Sequence, residues 1–410
     1  MSSSKRICLV SGGHLASNPR LVKEADTLHR AGHVVLALGV QTVPAVARLD
    51  ADLEHAKPWN MRHVRWGLIR RACFFAHRSR ARAAVLDGVE SAPAFADALA
   101  PWHRLHLSEI RRFRPDLMIA HTLPSLTVAA MASKRLGIPY AFDMEDFHPG
   151  ERPGGLDEPQ NRIASRVLKQ CLPSAVYVTA ASPGMADETM RAFNVPRVVV
   201  LLNSFPLMAI PENPPRDRKG GGVSIYWFSQ TVGLDRGLPD ILQACATLKG
   251  DFQLHLRGSA SAETRHEVYE WAARGGFQER CFIHPQVSPL ELLSRTAEHD
   301  IGLALETSLS RNYHITVSNK ILFYPLAGLA VVATRTSGHQ WVMDQTPEMG
   351  FTYESGDVAA LAKGLQRWIE HPEDLRRART AARRAAEERF CWEKEEPLFL
   401  HTVEKAFAAG

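Results

Sequence analysis

Four ionisable side chains crowd the end of a short apolar run in the first half of the chain. Asp143, Glu145, Asp146 and His148 follow the apolar residues 140–142. Loops that follow buried strands carry functional residues more often than the strands themselves. A carboxylate orients or deprotonates a hydroxyl when it lies within hydrogen-bond reach of the proton. We therefore predict that Asp143, Glu145 and Asp146 act on a substrate hydroxyl. The alternative is helix capping and solvation, with Asp146 as the cap.

A glycine pair ends the first apolar run of the sequence. Gly12 and Gly13 follow residues 7–10, and a helical pattern begins at Pro19. Glycine lets the backbone approach a ligand closely, and the first turn of a helix offers N–H groups to an anion. We predict that Gly12, Gly13 and the adjoining His14 form a phosphate- or substrate-binding loop. The alternative is a tight turn without a ligand, because the segment lacks the GxGxxG pattern of dinucleotide-binding folds.

Two cations in the second half of the chain stand at predicted helix starts. Arg236 and Gly237 precede one helical pattern, and Asn319 and Lys320 open another. A cation beside a helix N-terminus suits a diphosphate, because both attract negative charge. We predict that these positions bind a diphosphate. The alternatives are that Arg236 pairs with a nearby aspartate on the surface and that Lys320 is solvated.

Short apolar runs alternate with amphipathic stretches along the whole chain, which indicates βαβ units and parallel sheets. We predict strands at 7–10, 34–38, 117–120, 140–142, 176–179, 198–202, 224–228, 253–256, 281–283, 301–305 and 330–333. The helical patterns include 19–31, 238–248, 262–273, 290–298, 319–326, 358–369 and 375–388, with a last one that ends at 408.

The length of 410 residues favours two domains, because single hydrophobic cores stop growing near about 250–300 residues. The segment 206–222 is rich in proline, glycine and charge, and is the strongest linker candidate. We therefore predict an N-terminal domain over 1–205 and a second domain over 206–389.

Composition excludes several classes of protein. The 49 basic and 44 acidic residues give a formal charge of only +5, so nothing in the overall charge favours nucleic acid as a partner. The six cysteines lie far apart without zinc-site spacing, and we expect reduced thiols in a cytoplasmic protein. No window approaches the roughly 20 apolar residues of a membrane-spanning helix. We expect a soluble protein, and the alternative is a peripheral position on the inner face of the membrane.

A basic and aromatic stretch over 56–86 contains no Asp or Glu. It carries Lys57, the arginines 62, 65, 70, 71, 78, 80 and 82, and the aromatic residues Trp59, Trp66, Phe74 and Phe75. Basic and aromatic residues together suit an anionic lipid surface. The hypothesis is a membrane-facing region, and the alternative is a solvated helix whose aromatic side chains pack in the core.

Seven segments, in order, resemble retaining glycosyltransferases of the GT-B fold, in particular glycosyltransferase family 4. They are PRLVKEADTLHRAGHVV from 19, PDLMIAHTLPS from 115, IPYAFDMEDFH from 138, VVVLLNSF from 198, SIYWFSQTVGLDRGL from 224, NKILFYPLAGLAVVAT from 319 and FCWEKEEPLFLHTVEKAF from 390. The resemblance spans nearly the whole chain. The order of the segments and AGLAVVAT are fairly specific.

The resemblance implies two doubly wound Rossmann-like α/β domains that face each other across a cleft, with a C-terminal helix over 390–410 returning to the first domain. It implies retaining transfer of a sugar from a nucleotide diphosphate sugar to a hydroxyl, in cell-surface polysaccharide or glycolipid synthesis, with no cofactor and no obligatory metal ion. The acceptor would be lipid-linked, a glycan or a small molecule. His121 falls on the acceptor side, and the donor side takes Gln230, Arg236, Gly237, Asn319, Lys320 and Glu306.

The sequence departs from the family at the donor and catalytic positions. Gln230 stands where the family has Arg, and Arg236 where it has Lys. The two family glutamates fall at Ile315 and Phe323, and the family histidine falls near Asp143. These losses keep two alternatives open: a nucleotide-sugar epimerase of the same fold, and an inactive glycosyltransferase-like binding or scaffold protein.

Overall fold

A computed structural model of the chain describes residues 4–65, 68–195, 197–207, 222–307 and 309–408. Most of the predicted linker 206–222 lies outside these residues. The chain divides into two compact units. The N-terminal unit contains residues 1–201, 310–312 and 396–410, and the C-terminal unit contains 202–309 and 313–395.

The N-terminal unit is built from alternating strands and helices. Its strands are β1 (Arg6–Ser11), β2 (Val34–Gln41), β3 (Asn60–Arg65), β4 (Leu117–His121), β5 (Tyr140–Met144), β6 (Val178–Ala180) and β7 (Val199–Val200). Its helices are α1 (Pro19–Arg30), α2 (Pro44–Ala56), α3 (Leu68–Leu86), α4 (Ala92–Leu99), α5 (His103–Phe113), α6 (Leu123–Leu136), α7 (Pro159–Cys171) and α8 (Pro183–Phe193).

The seven strands form one parallel sheet in the order β3-β2-β1-β4-β5-β6-β7. All residues of β4 and β5 are buried, as expected for a sheet that is covered by helices on both faces. The order reverses between β1 and β4. In doubly wound sheets, ligands bind beyond the carboxyl ends of the strands at this switch point.

The C-terminal unit repeats the same construction. Its strands are β8 (Val223–Thr231), β9 (Phe252–Ser259), β10 (Cys281–His284), β11 (Ile301–Ala304), β12 (Ala330–Thr334) and β13 (Gly350–Tyr353). The helices that follow are α9 (Leu238–Cys245), α10 (Ala262–Arg274), α11 (Pro289–Thr296), α12 (Arg311–Ile315), α13 (Asn319–Leu326), α14 (Ser337–Gln345), α15 (Val358–Glu370), α16 (Pro372–Glu388) and α17 (Trp392–Ala408). Helices α12 and α17 contain residues of both units.

The second sheet is also parallel, in the order β10-β9-β8-β11-β12-β13, and its switch point lies between β8 and β11. Its core includes Trp227 and Phe252, which are fully buried. Burying a large apolar side chain stabilises the fold by about 1.5–3 kcal/mol relative to exposure. Each sheet thus has one switch point. The candidate residues selected from the sequence follow strands that lie at or near these two switch points.

Part of the basic stretch 56–86 packs on the protein. Trp59 is buried, and its Nε1 donates a hydrogen bond of 2.8 Å to Asp26. Lys57 Nζ lies 2.6 Å from the other oxygen of Asp26. Trp59 thus follows the alternative in which the aromatic residues pack in the core. Trp66 and the side chains of Phe74 and Phe75 lie outside the described part of the chain. No helix in the described residues is long and apolar enough to span a bilayer.

Candidate functional site

Four polar side chains stand in one row at the carboxyl edge of the N-terminal sheet. The strand register pairs Ser11 with His121, His121 with Asp143, and Asp143 with Thr179. The row starts at the switch point between β1 and β4. All four residues are buried. The fold therefore brings His121 and Asp143, both predicted site residues, side by side.

Asp143 is held by an arginine that the sequence analysis did not select. Arg20 of α1 donates from Nε and Nη2 to the two oxygens of Asp143, at 2.5 and 2.6 Å. A third bond of 2.7 Å runs from Arg20 Nη1 to the carbonyl of Leu201, and the hydroxyl of Thr179 also donates to Asp143. Burial alone would raise the pKa of Asp143, but Arg20 and His121 hold it well below its usual value. Both oxygens of Asp143 are thus committed to internal partners.

His121 lies between carboxylates on both sides of its ring. Its Nδ1 is 3.1 Å from Glu145 Oε1 and 3.3 Å from Asp143 Oδ2. Its Nε2 is 3.2 Å from Glu24 Oε2. Burial alone would lower the pKa of His121, but these carboxylates hold it well above its usual value. The ring is therefore an imidazolium at neutral pH.

Glu145 is the member of this network that reaches solvent. Its side chain is 24 % exposed, against 1 % for Asp143. Asn18, the N-cap of α1, donates 2.6 Å from Nδ2 to the same oxygen of Glu145 that faces His121. The second oxygen of Glu145, Oε2, has no hydrogen-bond partner among the described residues. This makes Glu145 the carboxylate best placed to meet a substrate hydroxyl.

Asp146 and His148 have separate partners. Asp146 is exposed and accepts a hydrogen bond of 2.9 Å from Asn312 Nδ2, and Asn312 Oδ1 accepts 2.7 Å from the backbone of Phe147. His148 pairs with Glu151. Burial alone would lower the pKa of His148, but Glu151 raises it above the usual value. Asp146 is thus reachable from solvent, and His148 is engaged within its own loop.

The glycine pair has two different environments. A Cβ on Gly12 would lie 2.9 Å from Thr122 Oγ1 and 3.1 Å from Pro124 Cβ, so glycine is needed there for packing against the loop after β4. A Cβ on Gly13 would meet nothing within 4 Å among the described residues. Thr122 itself has φ of 75°, a strained region for a side-chain-bearing residue. Strain of this kind clusters at ligand sites, which favours a role for the Gly13–Thr122 edge.

His14 is a fixed structural residue. Its Nε2 accepts backbone N–H groups from Thr42 and Val43, each at 2.9 Å, so Nε2 carries no proton. Its Nδ1 then donates to Asp50 at 2.6 Å, and Asp50 also accepts 2.9 Å from the backbone of Ala16. With both ring nitrogens engaged, His14 anchors the turn after β1 and offers no nitrogen to a ligand.

One group of potential metal ligands lies in the described part of the chain. Atoms of Glu24, His121 and Asp143 come within 4.8 Å of one another. Arg20 already binds both oxygens of Asp143 and places a permanent positive charge beside the group. These side chains fit an internal ion-pair network better than they fit a divalent cation.

The C-terminal switch point carries Arg236 and Gly237 just beyond β8. Gly237 has φ of 74°, and a Cβ there would lie 2.9 Å from Leu305 Cβ, so the turn into α9 requires glycine. Arg236 is exposed, and its guanidinium donates a long hydrogen bond of 3.3 Å to Ser229 Oγ. Gln230 is also exposed at the end of β8. Neither Asp235 nor Asp240 pairs with Arg236 among the described ion pairs.

Lys320 and Glu306 meet at the ends of β11 and α13. Lys320 Nζ lies 2.9 Å from Glu306 Oε1, and both side chains are largely buried. The backbone N–H of Glu306 donates 3.0 Å to Thr334 Oγ1 at the end of β12. Burial alone would raise the pKa of Glu306, but Lys320 and, more weakly, His339 and Arg236 lower it. Three of the predicted donor residues therefore share one electrostatic neighbourhood: Arg236, Glu306 and Lys320.

A buried histidine binds Ser318, the residue just before α13. His339 Nδ1 donates 3.0 Å to the carbonyl of Thr334, so its Nε2 accepts from Ser318 Oγ at 2.8 Å. Burial lowers the pKa of His339, which keeps the ring neutral. Ser318, the N-cap of α13, consequently makes no side-chain capping bond to the helix. Asn319 accepts 2.9 Å from Asn203 Nδ2. The first turn of α13 thus lacks the usual cap from Ser318, beside the Lys320 ammonium.

Part of the N-terminal unit resembles a known protein family. Residues 17–204 match the model of the glycosyl transferase 4-like domain. This stretch of the chain is therefore similar to that family. The match includes Arg20, His121, Asp143 and Glu145. A search among functionally curated proteins found no significant match.

Solved structures show the same fold over both units of the chain. HepE from Anabaena in complex with UDP-glucose is 17 % identical, with a TM-score of 0.72 over 98 % of this chain and 100 % of that one. Sucrose-phosphate synthase from Thermosynechococcus elongatus is 15 % identical, with a TM-score of 0.73 over 99 % and 100 %. A glycosyltransferase from Rickettsia africae is 14 % identical, with a TM-score of 0.70 over 99 % of each chain. The predicted GT-B fold and the resemblance to family 4 are confirmed.

The GT-B chain fills the two positions of the family glutamates with apolar packing. Ile315 is buried. Phe323 is only 6 % exposed, and its ring meets Phe205 at 5.0 Å and Phe228 at 5.3 Å between centroids, both edge to face. Such aromatic pairs add about 0.5–1.5 kcal/mol each beyond area burial. Phe323 is therefore part of an aromatic cluster and offers no group that could hold a ribose hydroxyl.

Two buried charged residues of the N-terminal unit were not selected from the sequence. Arg20 and Glu24 lie four residues apart on α1, next to the apolar stripe of Leu21, Ala25 and Leu28. Opposite charges at this spacing usually form a solvated surface pair. The signal that could have found them is their place beside the buried stripe, directly after the turn that carries Gly12.

Proposed function

We propose that this GT-B protein is a glycosyltransferase that moves a sugar from a nucleotide diphosphate sugar to a hydroxyl acceptor. We further propose retention of the anomeric configuration and no obligatory metal ion. The observation that carries the proposal is the placement of Arg236 and Lys320 at the switch point of the C-terminal sheet, with Lys320 2.9 Å from Glu306. A sugar leaving a diphosphate transfers negative charge to it, and fixed cations stabilise that charge.

The donor diphosphate would take Lys320 and Arg236 as its counter-ions. Arg236 is exposed, and its one hydrogen bond among the described residues is the long bond to Ser229, so it is available to a ligand. Lys320 is held by Glu306, and the first turn of α13 adds N–H groups that favour an anion. HepE was crystallised with UDP and with UDP-glucose. Uridine nucleotides are therefore the first donor class to test.

The acceptor hydroxyl would meet Glu145 in the N-terminal unit. Glu145 is partly exposed and is aimed by Asn18 and His121. Asp143 then acts as the buried counter-ion of Arg20 and does not touch the acceptor, while Asp146 supplies a second exposed carboxylate. A carboxylate that accepts a hydroxyl proton increases the nucleophilicity of the oxygen as the new glycosidic bond forms.

Calorimetric titration with UDP tests the donor site. Arg236→Ala and Lys320→Ala are each expected to weaken UDP binding roughly 10- to 100-fold, because hydrogen bonds to charged groups contribute about 1.5–3 kcal/mol. Arg274→Ala and Lys249→Ala are the matched controls, because both residues lie in the C-terminal unit away from the switch point. Equal UDP affinity in all four variants and the unaltered protein would remove these two cations from the donor site.

A binding protein without transferase activity is the second candidate, and Phe323 is the observation that favours it. The aromatic cluster leaves no carboxylate at the position where the family has its second glutamate. Incubation with UDP-sugars, alone and with hydroxyl acceptors, separates the candidates by NMR of the products. Transfer needs an acceptor, the epimerase alternative converts the donor alone, and a binding protein leaves both unchanged.

We also propose a cytoplasmic location at the inner face of the membrane, with a lipid-linked or glycan acceptor for polysaccharide or glycolipid synthesis. Exposed Arg62 and Arg80 in the basic stretch support an anionic surface as partner. Flotation with phosphatidylserine vesicles at low and high salt tests this. Binding is expected at low salt and release at high salt, and no binding at low salt contradicts the proposal.

A further inference from the structure

Behind Glu145, the N-terminal unit encloses polar atoms that lack hydrogen-bond partners. Glu24 of α1 is 1 % exposed, and neither of its carboxylate oxygens has a hydrogen-bond partner among the described residues. The buried hydroxyl of Tyr177 and Nε2 of His121 also have no hydrogen-bond partner among the described residues. A buried carboxylate without hydrogen bonds is expensive, so it persists where a nearby charge compensates it. The nearest ring nitrogen is His121 Nε2, at 3.2 Å.

We propose that Glu24 is a positioning residue that acts through the imidazole of His121 to hold Glu145 aimed at the acceptor hydroxyl. The proposal rests on the proposed function for the role of Glu145. Glu24 does not contact the substrate in this proposal, because Glu24 is enclosed within the N-terminal unit.

The geometry places one ring between two acids. Nε2 of His121 faces Glu24 at 3.2 Å, and Nδ1 faces Glu145 at 3.1 Å. A neutral imidazole carries one N–H and can direct it at only one of these acids, whereas an imidazolium carries an N–H on both sides. Glu24 therefore favours the doubly protonated ring, and the charged ring in turn attracts Glu145 and fixes its orientation.

The other charged groups around the His121 ring do not replace Glu24 in keeping the ring protonated. Arg20 is committed to both oxygens of Asp143, and its Nε lies 3.8 Å from Glu24, beyond hydrogen-bond distance. Burial and Arg20 lower the pKa of Lys23 to about 7, so Lys23 is a partial charge at neutral pH. The titratable or charged groups that face this network are Arg20, Lys23 and Glu24 from α1, Asp143 and Glu145 from β5 and its following loop, and Tyr177 before β6.

The direct test is an NMR titration of the His121 ring in labelled protein, with the signal assigned by its loss in His121→Gln. In the unaltered protein the pKa of the ring is expected to lie well above the usual value of histidine. In Glu24→Gln its pKa is expected to fall by at least about one unit, a tenfold change in proton affinity. Asp26→Asn is the matched control, because Asp26 lies on the same helix and faces Lys57 and Trp59. The control should move His121 by less than about 0.3 units.

Activity supplies the second readout. With His121 less charged, the ring holds Glu145 less firmly, so the carboxylate is displaced from the acceptor hydroxyl. We expect kcat to fall up to ~100-fold in Glu24→Gln with the donor KM unchanged. Glu24→Asp keeps the carboxyl group and should restore part of the loss. If Glu24→Gln does not fold, Glu24→Asp serves as the test: the pKa of His121 should fall measurably, and a pKa equal to that of the unaltered protein would contradict the proposal.

The outcomes separate this proposal from the proposed function. If His121 titrates alike in the unaltered protein and Glu24→Gln, or shifts equally in Asp26→Asn, the positioning role of Glu24 is wrong even if the enzyme transfers sugar. If no nucleotide sugar is turned over, the proposed function is wrong, while the histidine titration still measures the link between Glu24 and His121.

Discussion

Removing the side chain of Arg20 should destabilise the N-terminal unit far more than removing an exposed arginine of the same helix. Arg20 is fully buried and binds both oxygens of Asp143 and the carbonyl of Leu201. Arg20→Met leaves Asp143 as a buried carboxylate with His121 as its remaining cation. Breaking a buried pair in this way raises the free energy of the folded state by about 3–5 kcal/mol. At about 2–4 °C per kcal/mol, the melting temperature should fall roughly 6–20 °C.

The loss of stability in Arg20→Met should depend on pH in a defined direction. In the unaltered protein the pKa of Asp143 is depressed, so its contribution to stability is present above the unfolded value of about 3.9 and is lost as pH falls through the folded value. In Arg20→Met burial instead raises the pKa of Asp143. The variant therefore gains relative stability as pH falls, and the difference between the two proteins should be largest at pH 7 and smallest near pH 4.

Scanning calorimetry at several pH values measures both effects. Arg30→Met is the matched control, because Arg30 lies on α1 and forms an exposed pair with Glu396 at 2.6 Å. Exposed pairs contribute less than about 1 kcal/mol. The double variant Arg20→Met/Asp143→Asn should recover at least about 2 kcal/mol, because no uncompensated charge remains buried. A loss no larger than that of Arg30→Met, or no recovery in the double variant, would refute this reasoning.

Three further predictions concern other parts of the structure. Gly237→Ala should lower stability by about 1 kcal/mol or more beyond Gly276→Ala, because both positions have φ near 74° but only Gly237 meets Leu305, at 2.9 Å; equal melting temperatures would contradict this. Asp50→Asn should reduce the free energy of unfolding by about 1–3 kcal/mol in denaturant titrations, since it weakens the bonds to His14 and Ala16. Phe323→Glu should destabilise the C-terminal unit without tightening UDP binding, because it breaks the contacts with Phe205 and Phe228; tighter UDP binding would show that a carboxylate there still reaches the donor.

The regular alternation of the chain predicts most of the fold because parallel strands are buried on both faces. Runs such as 7–10 and 117–120 are uninterrupted and apolar, and they appear as the centres of β1 and β4. Strand β3 was not predicted, because only Met61 and Val64 among its residues are apolar and charged residues lie between them. Strand β13 was also not predicted, since it is only four residues long.

The site residues that follow strands can be predicted from the sequence, whereas those that lie on helices are harder to predict. His121, Asp143 and Glu145 follow apolar runs, so their shared edge follows from parallel pairing alone. Which carboxylate is exposed depends on the packing of Arg20 and Asn18, and those contacts span 123 and 127 positions in the sequence. His14 shows the converse: its place beside the glycine pair suggests a ligand, but its two backbone donors and Asp50 come from a different loop and helix.

The row formed by Ser11, His121, Asp143 and Thr179 separates two kinds of position that are neighbours along the chain. Side chains in the row are buried, and His121 and Asp143 are joined by charge, so a change at one of these two alters the ionisation of the other. Gly13 and Glu145, each two places beyond a residue of the row, are partly exposed at the sheet edge. A mutant library confined to those emergent positions is therefore expected to yield folded proteins with altered acceptor preference, whereas a library over the row should yield mostly insoluble ones.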